Sequence, residues 1–112
     1  MTTASVRGKA AQEPLLLEQC ADAVSAAERL LQLAKSAVRK TVDGAAGLDG
    51  AQAAAHGLAW VATYVESLRQ MLGWARRLGA DQRLTEMERL LLTAAFGEYL
   101  AQLAAGIPMS QN

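Results

Sequence analysis

Apolar residues recur along this chain at steps of three and four, in three separate runs. The first is Leu16, Cys20, Val24, Ala27, Leu31, Ala34 and Val38, with Glu18, Asp22, Ser25, Arg29, Gln32 and Arg39 on the other side. That pattern is one face of a 3.6-residue helix. Pro14 suits a first helical turn, and Glu13 and Glu18 put negative charge at the positive end of the dipole, so we expect the helix to open at Pro14. Lys35, Arg39 and Lys40 complement its C-terminal end, and the stretch from Gly44 to Gly50 breaks the pattern.

A second helix is expected from about Gly50 to Leu78, opened by an Asp49–Gln52 capping box. Its main row is Leu58, Val61, Val65, Leu68, Leu72 and Ala75. Trp60, Tyr64, Met71, Trp74 and Leu78 widen the apolar arc. After a turn over Gly79 to Arg83, Thr85 and Glu88 suggest a second capping box. The third helix then carries two adjacent stripes: Met87, Leu91, Ala94 and Ala101, and beside them Leu92, Phe96, Tyr99 and Leu103. Gly106 and Pro108 are expected to stop it. The short connections imply an all-α, antiparallel up-down bundle of about three long helices. The boundaries follow: a disordered tail over residues 1–13, a bundle over 14–107, and a linker over 108–112.

Composition narrows the partners. Hydrophobic residues are 52% of the 112 and aromatic ones 4%, a balance that suits helices better than strands. Eleven basic and eleven acidic residues cancel, and no basic block forms, which argues against nucleic acid. Cys20 is the single cysteine, so no internal disulfide is possible and a reducing cytoplasm is the expected location. The longest charge-free run, Gly50 to Val65, is too short and too polar to span a membrane.

Candidate chemistry is sparse. Cys20 and His56 could pair as nucleophile and base, but Cys20 lies on the apolar stripe, where a thiol packs as a small hydrophobe with a raised pKa. One His and one Cys fall short of a metal set, and no metal site is expected. His56 more readily packs below Trp60 and Tyr64, with Glu98 a candidate hydrogen-bond partner. Gly44, Gly47 and Gly50 precede a helix, yet no strand leads into them and Asp49 would repel a phosphate. Arg69, Arg76 and Arg77 could clamp an acidic group or form a solvated face. Trp60, Tyr64 and Trp74 supply core volume in a chain poor in aromatics. Helices two and three carry more apolar surface than a small bundle hides, which marks a site for another chain or domain unless a further short helix covers it.

The segments His56–Arg69, Phe96–Leu100 and Gly106–Gln111 bear a resemblance. From Ala55 to Gln111 the chain is similar to the helical extension that precedes the body of a bacterial subgroup of the acyl-CoA dehydrogenase family; residues 1 to 50 share only helical character. The resemblance implies a parent enzyme that binds FAD and oxidises an acyl-CoA thioester such as methylsuccinyl-CoA, with a catalytic glutamate taking the α-proton. It implies no catalytic, cofactor or metal residue in this chain, which ends at Asn112 before any such segment. What it leaves is docking or assembly: Leu92, Phe96, Tyr99 and Leu103, with Trp60 and Tyr64, would pack on a missing dehydrogenase body or a neighbouring subunit of a homo-oligomer. The competing expectation is a free-standing helical module that homodimerises through the same stripes.

Overall fold

The computed structural model describes the backbone of residues 3–44 and 47–105, with side chains for 12–44, 47 and 49–105. Three helices form, α1 (Thr3–Asp43), α2 (Gly47–Ala80) and α3 (Glu86–Ala104), and no strand is present among the described residues. The all-α expectation holds. The linker at 108–112 and the stop at Gly106 and Pro108 lie outside the described residues.

α1 follows its stripe: Cys20, Val24, Ala27 and Leu31 are buried, while Glu18, Asp22, Ser25, Arg29, Gln32 and Arg39 are exposed. Its start differs from expectation. Pro14 lies inside the helix, which begins at Thr3 rather than after an aperiodic tail. Inside a helix proline removes one backbone donor and its ring crowds the carbonyl four residues back, about 3 kcal/mol in all, yet Ala, Lys, Gln and Glu on its N-terminal side are good helix formers and the helix runs through it. At the other end the Gly44 N–H donates to the Lys40 carbonyl at 2.8 Å.

α2 also starts earlier than expected. Gly47 takes φ +84°, a left-handed turn that glycine adopts freely, and Asp49 falls within the first turn. Asp49 therefore acts on the dipole from inside the helix rather than as an N-cap, so the Asp49–Gln52 capping box is not formed. The C-terminus of α2 closes as a Schellman turn around Gln82 at φ 57°. There the Arg83 N–H donates to the Leu78 carbonyl (2.7 Å) and the Gln82 N–H to Gly79 (3.1 Å). Leu84, buried just beyond, pins that turn to the core. Thr85 is the N-cap of α3, as expected, but its side chain makes no capping bond, so the Thr85–Glu88 box is absent too. Arg89 holds the connection instead, its Nη1 donating to the Leu84 carbonyl at 2.9 Å.

The contacts fix the direction of the first two helices. A β-carbon on Gly79 would lie 3.6 Å from Leu17 and 3.8 Å from Glu13, whereas Arg69 meets Glu28 at 3.4 Å. Partners on α2 descend as those on α1 ascend, which makes the pair antiparallel. α3 turns back along α2, and the Tyr99 ring sits edge-on to Tyr64 at 4.9 Å between centroids.

Helix length decides where the core lies. At 1.5 Å per residue the three helices run roughly 60, 50 and 30 Å. α3 therefore covers only the half of the α1–α2 hairpin nearest the second turn. Among the residues whose side chains are described, every buried one falls in that half: Cys20, Val24, Ala27 and Leu31 on α1, Val65, Leu68, Leu72 and Ala75 on α2, with Leu84, Leu92, Phe96 and Leu103. Beyond it the hairpin is two helices thick, and Ala34, Val38, Leu58, Trp60 and Val61 are only half-buried.

Truncation should therefore cost unequally along one chain. Leu92→Ala and Leu68→Ala should each destabilise by about 2–5 kcal/mol in urea unfolding, and Leu33→Ala, 69% exposed, by no more than about 0.5 kcal/mol.

Candidate functional site

The residues singled out for chemistry do not converge. Cys20 is buried between α1 and α2, and burial raises its thiol above the ordinary 9.0. His56 is exposed on the far half of α2. Measured from the Glu28–Arg69 contact the two lie on opposite sides, roughly 30 Å apart along the hairpin, so no Cys–His dyad exists. Among the described residues no three His, Cys, Asp or Glu side chains gather as metal ligands.

His56 has a partner, but not Glu98. Its Nε2 accepts from Trp60 Nε1 at 3.1 Å, one turn along α2, whereas Glu98 accepts from Gln102 at 3.0 Å. The correction follows from helical spacing: a residue four ahead on the same face is nearer than one on the neighbouring helix. The ring of His56 stands edge-on to Trp60, Trp60 tilts against Tyr64, and Tyr64 meets Tyr99, giving an aromatic ladder that ties α2 to the end of α3.

Of the three arginines, Arg69 is engaged. It bonds Glu66 at 2.9 Å and Glu28 at 3.4 Å, and the hydrogen bonds from Gln70 and then Arg69 hold the Glu66 carboxyl below its usual range. The groove beside it, lined by Ser25, Glu28, Arg69, Gly73 and Arg76, thus pairs one of its two cations, Arg69, internally. Of the glycine-rich connection, residues 45 and 46 lie outside the described set, and Asp49 opens α2 with a carboxylate where a phosphate would need a donor.

The apolar candidates are redistributed. Leu92, Phe96 and Leu103 are buried in this chain's own core, at 1%, 4% and 8% exposure, and Trp60, Tyr64 and Tyr99 pack half-buried against it. The stripe beside them is the one that faces out: Met87 (63%), Leu91 (55%), Ala94 and Ala101 are exposed, and Leu90 (61%) joins them. Sequence reasoning missed this inversion because α3 is apolar around nearly its whole circumference, so periodicity marks no inner face. The signal that could have found it is volume, since the stripe with Phe96 and Tyr99 is the one able to fill the space against α2.

Two apolar surfaces result. One is the outer face of α3, continued by Leu15 across a groove lined by Gln12, Leu16, Gln19, Glu86, Arg89 and Thr93. The other is a shelf on the far half of the hairpin, where Leu33 of α1 is exposed and Ala34 and Val38 of α1 and Gly57, Leu58 and Trp60 of α2 are only half-buried. A β-carbon on Gly57 would meet nothing within 4 Å.

Comparison with known proteins gives these surfaces a setting. The chain is 52% identical over 102 aligned positions to the (2S)-methylsuccinyl-CoA dehydrogenase of Cereibacter sphaeroides. That match takes in 87% of this chain, so it cannot be confined to the stretch after Ala55 and reaches well into α1. The resemblance to an acyl-CoA dehydrogenase holds, and over more of the chain than the quoted segments suggest. The chain spans about a fifth of the length of that relative, 19%. No family model matches it, and no solved structure does.

The buried thiol gives a pH-dependent signature. Because the folded state holds the Cys20 proton more tightly than the unfolded chain, the stabilisation is complete below pH 9.0 and is lost as pH rises above it. The urea midpoint should fall more steeply between pH 8 and 10.5 in the wild type than in Cys20→Ala.

Proposed function

We propose that this chain is a non-catalytic helical docking and assembly domain of an FAD-dependent dehydrogenase acting on an acyl-CoA such as methylsuccinyl-CoA. The observation that carries the reading is the shelf. An α1–α2 hairpin of roughly 50 Å bears a third helix of roughly 30 Å, leaving Leu33 exposed and Leu58 and Trp60 only half-buried. A small domain that keeps such surface uncovered presents it to another body. The relative supports the identity of that body: a region 52% identical to this chain makes up a fifth of a much longer dehydrogenase.

In this reading the dehydrogenase body holds the flavin and the base, and the flavin supplies the two-electron oxidation of the acyl thioester when bound. This chain's residues position that body. Trp60, held by its bond to His56 and its contact with Tyr64, is the rigid anchor of the shelf. Leu33 gives it apolar area, and a packed tryptophan is the kind of residue that carries binding energy at an interface centre. The domain works in the cytoplasm and within an oligomer. No helix among the described residues is long and apolar enough to cross a membrane, and the one thiol is buried and free.

The test is a segment exchange. Replacing the matching fifth of the Cereibacter sphaeroides enzyme by this chain should give an assembled, flavin-loaded dehydrogenase, because half the residues are already shared. Adding Leu33→Asp and Trp60→Ala should lower the yield of assembled enzyme at least about tenfold, the effect of losing one interface centre. An exchange that assembles equally well with both substitutions would overturn the reading.

A further inference from the structure

We infer that His56 is a proton-operated latch on Trp60, so that docking at the shelf weakens as the imidazole takes up a proton. The inference rests on the docking reading above and adds a regulation to it.

The latch is built from two side chains one turn apart on α2. Trp60 Nε1–H donates to His56 Nε2 at 3.1 Å, and the two rings stand at 79° with centroids 6.2 Å apart. An indole N–H only donates, so Nε2 must offer a lone pair, and the one ring proton of the neutral imidazole then sits on Nδ1. A second proton has to enter at Nε2. That sets one N–H against another across the same 3.1 Å, and the bond is lost. The edge-on geometry offers no substitute, because a cation is attracted to the face of an indole, whereas His56 meets the edge that carries the N–H.

Trp60 is placed to carry the effect. His56 is exposed and open to protons, while Trp60 is half-buried and packs against the core. On its other side the indole is held by Tyr64, tilted at 38° with centroids 6.3 Å apart, and Tyr64 in turn meets Tyr99 of α3. The ladder therefore has a fixed end at α3 and a titratable end on the shelf. Loss of the bond frees the indole at the titratable end. A partner must then order a side chain that the held state had already ordered, and binding weakens by that cost.

The surroundings leave the switch to His56. It is the one histidine in the chain, and imidazole is the side chain whose ordinary titration falls between about pH 5 and 8. On α2, Asp49 lies two turns before it. On α1, thirteen residues from the Glu28–Arg69 contact, Thr41 comes level with His56, and Arg39, Lys40 and Asp43 flank that level, all exposed. Counted from the Tyr64–Tyr99 contact, α3 ends level with Ala59, and its last charged residue, Glu98, is bonded to Gln102. Two cations and two carboxylates thus flank His56, and among the described residues none forms an ion pair with it.

Nuclear magnetic resonance on the full chain tests the latch without a partner. At about pH 8 the ring nitrogen shifts of His56 should report the Nδ1–H tautomer. Between about pH 8 and 5 the Trp60 indole N–H, identified by its absence in Trp60→Phe, should move with the same midpoint as the His56 ring protons. It should stay still in His56→Gln, whose amide oxygen accepts at every pH. A neutral ring protonated on Nε2, or an indole resonance indifferent to the titration, overturns the latch. The segment-exchanged enzyme then tests its coupling to docking. The yield assembled at about pH 5.5 relative to about pH 7.5 should be about threefold lower or more with His56 than with His56→Gln, the effect of one hydrogen bond. His56→Lys, a donor at both pH values, should give the low yield at each. Equal pH dependence with His56 and with His56→Gln overturns the coupling. The docking reading fails separately, if Leu33→Asp with Trp60→Ala leaves assembly unchanged at about pH 7.5.

Discussion

Everything in this molecule hangs on the seam between α1 and α2. Cys20, Val24, Ala27 and Leu31 on one side and Val65, Leu68, Leu72 and Ala75 on the other close to near-zero exposure. Small residues, Cys20, Ala27 and Ala75, let the two axes approach while the leucines fill the space between them. The Glu28–Arg69 pair lies along the same seam with both side chains part-exposed, and such a pair sets register more than it adds stability. Burial, not charge, holds the hairpin.

The seam is only half finished by the chain itself. α3 seals it where Leu84, Leu92, Phe96 and Leu103 come down, and the aromatic ladder from Tyr99 through Tyr64 and Trp60 to His56 marks where the cover ends. Past that point the same two helices continue with the same kind of residues, and Val38, Leu58 and Val61 stay half-buried for want of a third wall. An unfilled polar requirement lies at the sealed end as well, since Glu88 Oε2 is buried without a hydrogen-bond partner. The two apolar surfaces that the chain leaves exposed are the ones a partner could cover.

Much of this was readable from the residues, and what was not has identifiable causes. The α1 stripe and the main α2 row were legible because each helix has one apolar face, so a 3.6-residue period points inward without ambiguity. α3 gave no such direction: with Leu90, Leu91 and Leu92 in succession, any phase of the period finds apolar residues, and the inner stripe was read as the outer one. The capping boxes failed for a different reason. Asp49 and Thr85 have the right neighbours in sequence, but Gly47 turns the chain into α2 three residues early and Arg89 takes over at the head of α3. Pro14 misled because proline, although it costs a helix interior about 3 kcal/mol, here lies within a helix that tertiary contacts support on its C-terminal side. The shelf could not be seen at all without helix lengths and pairing, because it is defined by where α3 ends rather than by any residue of its own.

The account turns on the claim that α3 completes the core over only half of the hairpin, and amide hydrogen exchange on the chain alone measures this most directly. Amides from Cys20 to Leu31 and from Val65 to Ala75 should exchange slowest, at rates set by global unfolding. Those from Ala34 to Lys40 and from Ala51 to Trp60 should exchange at least about tenfold faster, through local opening of the uncovered half. Equal protection along both helices would contradict the account, since it would mean that the far half is stable without a third wall and has no need of a partner.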